Sequence, residues 1–285
     1  MFFTESAAYK YILIFLSCYL LSWGLTPIIR KWAIAFGAVD VPGERRMHAQ
    51  PTPRCGGVAI FLAVHCCALF VFVPQNPFGW DGQANLLDYH WWLLFLGSSS
   101  LLLLIGLYDD LRGLRAGWKL FGQIVTAAIM YFGGVRFGGV FGVPLSPVLD
   151  VLATILWHVA IINAFNLIDG HDGVATGLGA IAALGIGGTF VYRNLPLEAL
   201  LLCGFIGACL GFLRYNYPPA SIFLGDSGSM FLGFFLASIT LSTSSKGTGL
   251  AALWVPLFAL GIPIFDTALA IVRRSGRTLL EAMEG

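Results

Sequence analysis

The chain has 285 residues, 58% hydrophobic and 11% charged, with a mean hydropathy of +0.82; apolar runs on this scale exclude a soluble core and place it among integral membrane proteins. Sixteen basic and 15 acidic residues leave a net charge of +1, which excludes nucleic-acid binding through a broad basic face, so any function that depends on charge is local. Cys18, Cys66, Cys67, Cys203 and Cys209 sit in apolar runs and Cys55 in a loop, without metal-ligand spacing, and all six read as small hydrophobes.

Crossing the hydrocarbon takes roughly 20 apolar residues, fewer where neighbours shield an end. Nine segments qualify: 9 to 29, 57 to 73, 91 to 107, 119 to 135, 148 to 164, 174 to 192, 197 to 213, 229 to 244 and 250 to 272. The first is too long for a signal-peptide core and precedes no small-residue cleavage pattern, so it stays as a membrane helix. The predicted fold is all-α, a polytopic bundle of about nine transmembrane helices forming one domain over residues 1 to 285.

Basic residues gather in cytoplasmic loops. One alternating set of loops holds 12 of the 16, including Arg30, Arg45, Arg54, Arg112, Lys119, Arg214 and Arg273, and the other holds Lys10, Arg136, Arg193 and Lys246. The amino terminus is therefore expected outside and the carboxyl terminus in the cytoplasm. On this topology four polar clusters share the cytoplasmic face: "DVPGERRMHAQPTPRCGG" (40 to 57), "GLYDDLRGL" (106 to 114), "NAFNLIDGHDG" (163 to 173) and "RYNYPPASIFLGDSGS" (214 to 229).

Taken in chain order, the first cluster offers Arg45, Arg46, His48 and Arg54 in a proline-broken loop, where they serve either phosphate binding or anchoring at the interface. Asp109 and Asp110 end an apolar run. Adjacent carboxylates there are costly to desolvate unless a cation compensates, and a divalent metal or the nearby Arg112 and Arg115 could do so. Asn163, Asn166 and Asp169 recur every third residue and so lie near one helix face; with Asp172 between Gly170 and Gly173 they form a polar wall suited to a base, ribose or sugar. Asp226 stands between glycines before the next apolar run, where helix-start amides favour a phosphate and the carboxylate could join an oxygen-ligand magnesium site; the alternative is a simple helix cap. A transporter would distribute its acids through the membrane depth, whereas these collect at one face.

Together "NAFNLIDGHDGVATG", "RYNYPPASIFLGDSGSMFLGF" and "YDDL" followed by Lys119 resemble the polyprenyl-phosphate N-acetylhexosamine-1-phosphate transferases, glycosyltransferase family 4 of the WecA/TagO/MraY type, over roughly residues 10 to 280. The first loop is more similar to the WecA/TagO branch. The resemblance implies transfer of a sugar 1-phosphate from a UDP-N-acetylhexosamine, UDP-N-acetylglucosamine above all, to undecaprenyl phosphate, with release of UMP and a requirement for Mg2+. It implies that Asp226 ligates the metal and that Asp109 and Asp110 serve metal positioning and activation of the lipid phosphate. Asn163, Asn166, Asp169, Asp172 and Asn216 would line the nucleotide-sugar pocket, with Phe223 against uracil, Lys119 near the phosphates, and Arg45, Arg46 and His48 on the substrate side. It further implies an inner-membrane location with the site facing the cytoplasm, and it is compatible with a homodimer. Two departures stand out: Gly113 replaces a lysine common in the MraY branch, and the residues through Gly285 lack the histidine-rich loop and last helices expected after Arg274, which makes a catalytically impaired or truncated homologue the alternative reading.

Overall fold

The computed structural model describes residues 5–40, 51–72, 89–140 and 143–244. They form α1 (Glu5–Ala35), β1 (Val39–Asp40), β2 (Thr52–Pro53), α2 (Gly57–Phe72), α3 (Tyr89–Arg112), α4 (Ala116–Phe132), β3 (Gly139–Val140), β4 (Val143–Pro144), α5 (Pro147–Ile168), α6 (Val174–Tyr192), α7 (Pro196–Asn216) and α8 (Gly225–Ser244). The eight predicted spans that fall on described residues each coincide with a helix; the ninth, 250 to 272, lies outside them. Among the described residues the helical expectation is modified by two antiparallel pairs, β1 with β2 and β3 with β4, in which each strand is two residues long.

Among the described residues five helices, within α1, α3, α5, α6 and α7, are long and apolar enough to cross a membrane. Their ends follow local chemistry. Pro147 and Pro196 open α5 and α7 at a position where a missing N–H costs nothing, and left-handed Gly173 opens α6. Exposed apolar side chains such as Trp32, Phe132 and Leu156 cover the outer surface, as lipid requires and water would not tolerate in such numbers.

α8 occupies the centre, packed against α2, α3, α5 and α6, while α1 packs on α7 and α7 on α6. Met230 to Ala237 are buried on every side, so α8 meets protein where the outer helices meet lipid. This explains why it tolerates polar residues: Ser242 Oγ accepts from Trp91 Nε1 at 2.9 Å, Thr240 Oγ1 accepts from Trp157 Nε1 at 3.3 Å, and Ser238 Oγ lies 3.2 Å from His158 Nε2. Such interhelical bonds hold a bundle together where apolar contact with lipid is as good as contact with protein.

At the end of the bundle where α2 and α8 begin and α3 ends, three backbones nearly touch. A Cβ on Gly57 would stand 1.9 Å from the Gly228 Cα, and one on Gly106 would stand 2.5 Å from the Ser227 Cα. Neither neighbour is a side chain that could swing away. Gly57→Ala is expected to destabilise the protein by about 1–3 kcal/mol through overpacking, read as a lower thermal midpoint in detergent. Gly24→Ala, in α1 with nothing within 4 Å of its added Cβ, is the control and should leave that midpoint unchanged or slightly higher.

The described part of the first loop is fastened to the same place. Phe223 N donates to Pro53 O at 2.8 Å, Gly56 N to Phe223 O and Gly57 N to Leu224 O, both at 2.9 Å. Loops that are about 170 residues apart in sequence thereby form one short backbone ladder beside the start of α8.

Candidate active site

The polar clusters converge at this end of the bundle. Lys119, one turn into α4, places Nζ 3.1 Å from Asp109 Oδ2 in the last turn of α3 and 2.6 Å from Asp226 Oδ2 at the start of α8. The Asp109 and Asp226 carboxyl groups are themselves within hydrogen-bonding reach of each other. All three side chains are only partly accessible, with 12% to 22% of their surface exposed, so the charges interact in a medium much less polar than bulk water. Three helices must be in register to make this arrangement.

Of the other two carboxylates, Asp110 faces inward. Asp110, 7% exposed, accepts from Asp226 N at 2.9 Å through Oδ1, and from Ser227 N at 3.2 Å and Ser227 Oγ at 2.8 Å through Oδ2. The buried Cys55 thiol hydrogen-bonds to the same carboxyl group; burial, with Asp110's negative charge beside it, pushes that thiol up to about 12. Asp169 follows the last residue of α5 and accepts from Gly225 N. Burial, reinforced by the charges of Asp110 and Asp226, holds Asp169 well above the ordinary carboxylate range. The amides of Gly225, Asp226 and Ser227 are thus committed to protein carboxylates. The helix-start amides that the sequence offers to a phosphate are already occupied, and the cap on α8 comes from α3, a distant element, and not from Asp226 itself.

The asparagines divide by depth. Asn166 Nδ2 donates to Ser229 Oγ at 3.0 Å, on the face that continues to Asp169. Asn163, one turn deeper, pairs with Gln123 of α4: Nδ2 donates to Gln123 Oε1 at 2.6 Å and Gln123 Nε2 returns to Asn163 Oδ1 at 3.4 Å. Gln123 is absent from the sequence reading, although a glutamine four residues after Lys119 inside an apolar helix was its signal. Losing either partner breaks this amide pair and leaves Asn163 only its bond to Val159 O at 2.8 Å, or Gln123 only its contact with Met230 Sδ at 3.8 Å, so Asn163→Leu and Gln123→Leu should each cost about 1 kcal/mol. The double variant should lose less than their sum in a thermal double-mutant cycle.

Asn216 is buried, with Oδ1 accepting from Thr176 Oγ1 at 3.0 Å and Nδ2 donating to Ile222 O at 3.1 Å. Asp172 Oδ2 accepts from Ala220 N at 2.9 Å. Both hold the 217 to 224 loop, which carries the half-buried Phe223, against α6 and α7. Arg54 bridges to Asp40 at 3.0 Å, and its positive charge acts weakly on Asp169. Arg45, Arg46 and His48 lie outside the described residues.

Among the described residues no three His, Cys, Asp or Glu side chains form a closed metal cage. Magnesium does not need one, because it is held by one or two carboxylates together with phosphate oxygens and water. Asp109 and Asp226, adjacent and partly accessible, fit that demand. Two carboxylates side by side keep their charge only when a cation accompanies them, and Lys119 already does so here.

A family model described as glycosyl transferase family 4 matches residues 92–244, which hold every described site residue named above except Asp40, Arg54 and Cys55 of the first loop. The chain is 36% identical to the decaprenyl-phosphate N-acetylglucosaminephosphotransferase of Mycolicibacterium smegmatis, over 92% of its own length and 70% of the relative's. It is 35% identical to the probable undecaprenyl-phosphate N-acetylglucosaminyl 1-phosphate transferase of Bacillus subtilis, covering 88% and 68% of the two chains. An undecaprenyl-phosphate alpha-N-acetylglucosaminyl 1-phosphate transferase of Thermotoga maritima is 33% identical over 90% and 72%.

Proposed function

The chain belongs to glycosyl transferase family 4, and on that premise we propose that it transfers N-acetylglucosamine 1-phosphate from UDP-N-acetylglucosamine to a polyprenyl phosphate, undecaprenyl phosphate being the expected acceptor. The observation that carries this reading is the Asp109, Lys119 and Asp226 cluster, assembled from three helices at one end of an apolar bundle. A prenyl chain stays in lipid and a nucleotide sugar stays in water, so their phosphates can meet only at such an end.

The reaction forms a bond between an acceptor phosphate oxygen and the donor's sugar-linked phosphorus. The bond from that phosphorus to the bridging oxygen breaks, and UMP leaves with the oxygen. A phosphate monoester has a second pKa of about 6, so the acceptor is already largely dianionic at neutral pH and needs no strong base. The difficulty is charge: two anions must approach and a third leaves. Lys119 is held where it can neutralise phosphate oxygens, and its two carboxylate partners fix its direction. Asp226 and Asp109 are the residues that would hold magnesium, whose role when bound is to screen the donor diphosphate. Asn166 and Asp169 continue the polar face toward the 217 to 224 loop and would receive the uridine and sugar groups.

Location in the bacterial plasma membrane, with this site on the cytoplasmic side, is part of the same reading. It is supported by the bias of 12 of the 16 basic residues to one set of loops and by the cytoplasmic supply of nucleotide sugars.

The test is UMP release by purified protein in detergent with magnesium, undecaprenyl phosphate and UDP-N-acetylglucosamine. Release that requires both the lipid and the metal supports the proposal. Absence of release with this donor and with the other UDP-N-acetylhexosamines, from protein that remains folded and monodisperse, would overturn it.

A further inference from the structure

Asp109 and Asp110 are neighbours in sequence, yet their surroundings are unlike. Asp109 accepts from Leu114 N through Oδ1 and from Lys119 through Oδ2, at the accessible side of the cluster. Asp110 points the other way and is saturated. An ionised carboxylate offers about four lone-pair sites. Three hydrogen bonds reach Asp110, from the Asp226 amide, the Ser227 amide and the Ser227 hydroxyl, and the Cys55 thiol lies beside it.

The backbone is shaped around this contact. Gly225 takes φ +77°, and a Cβ there would stand 2.6 Å from Asp110 Oδ2. Gly106, one turn before Asp110, has no room for a Cβ against the Ser227 backbone. The first turn of α8 is therefore seated on the last turn of α3, with the Asp110 carboxylate as its cap. A helix start strongly favours a negative group that accepts from its free amides.

We propose that Asp110 is a positioning residue: by capping α8 from α3 it fixes the direction of Asp226, and it takes no part in holding the metal. The Asp-Asp pair then divides its work. Asp109 faces the reacting groups, and Asp110 sets the helix that delivers Asp226. The inference rests on Asp226 being the metal-binding carboxylate, and the experiment separates the two ideas.

The full chain in detergent is titrated with Mn2+ in the presence of UDP, with bound ion read by electron paramagnetic resonance and stability by thermal unfolding. The parent should bind Mn2+, and Asp226→Asn should weaken binding at least about 100-fold. Asp110→Asn, which keeps one accepting oxygen, should retain Mn2+ affinity within about tenfold of the parent while its thermal midpoint falls. Ser227→Ala removes one donor to the cap and no carboxylate. It should lower the midpoint in the same direction, and the Asp110→Asn, Ser227→Ala double variant should lose less than the two singles together. If Asp110→Asn abolishes Mn2+ binding as fully as Asp226→Asn with an unchanged midpoint, the inference is wrong and Asp110 is a ligand. A Ser227→Ala midpoint equal to the parent's, with losses that simply add in the double variant, would also overturn it. Failure of the parent itself to bind Mn2+ would instead count against Asp226 as a metal site.

Discussion

Asp226→Asn is expected to lower UMP release by about 10³-fold while leaving the thermal midpoint within a few degrees of the parent's. The side chain meets Lys119 at 2.6 Å and lies beside Asp109, so its loss removes charge from the open side of the cluster. The hydrogen bond that seats α8 comes from the Asp226 backbone amide, which the substitution leaves in place. An amide in place of the carboxylate keeps the shape and removes the negative charge that would hold magnesium. Activity and stability should therefore separate. A variant retaining more than about a tenth of parental turnover would show that Asp226 is not central to the chemistry.

Lys119→Met should reduce kcat/KM by about 10²–10³-fold. Methionine fills the same space with an unbranched apolar chain, so packing against α3 and α8 changes little. What is lost is a cation that touches two carboxylates on different helices, at 3.1 and 2.6 Å. Without it, Asp109 and Asp226 face each other as like charges and the incoming phosphates meet a more negative site. Lys119→Arg should recover only part of the loss, because a planar fork cannot sit between the same two oxygens as a compact ammonium does. A parental rate for Lys119→Met, measured with saturating donor and acceptor, would remove Lys119 from the phosphate-binding machinery.

Much of this site was legible in the chain. Carboxylates and amides at the ends of apolar runs are expensive in a membrane unless they have a partner or a task, which is why Asp109, Asp169 and Asp226 stood out. Gln123 escaped notice because one glutamine in a helix reads as a tolerated polar residue until its Asn163 partner, 40 residues away, is seen. Asp110 shows the opposite limit. Its chemistry and its place beside Asp109 suggested an equal role, and nothing local reveals that one side chain turns to the open cluster while the next turns to the backbone of α8.

The sequence by itself determined the membrane class, the positions of the eight helices on described residues and the set of polar residues from which the site is made, because hydrophobic run length and the cost of burying charge act locally along a chain. Only the tertiary structure decided how those residues share the work. That Lys119 meets Asp226 as well as nearby Asp109, which carboxylate caps α8, and which glycines let α2, α3 and α8 touch all depend on contacts between residues more than 100 positions apart, and no local rule sets the direction in which a side chain will find its partner.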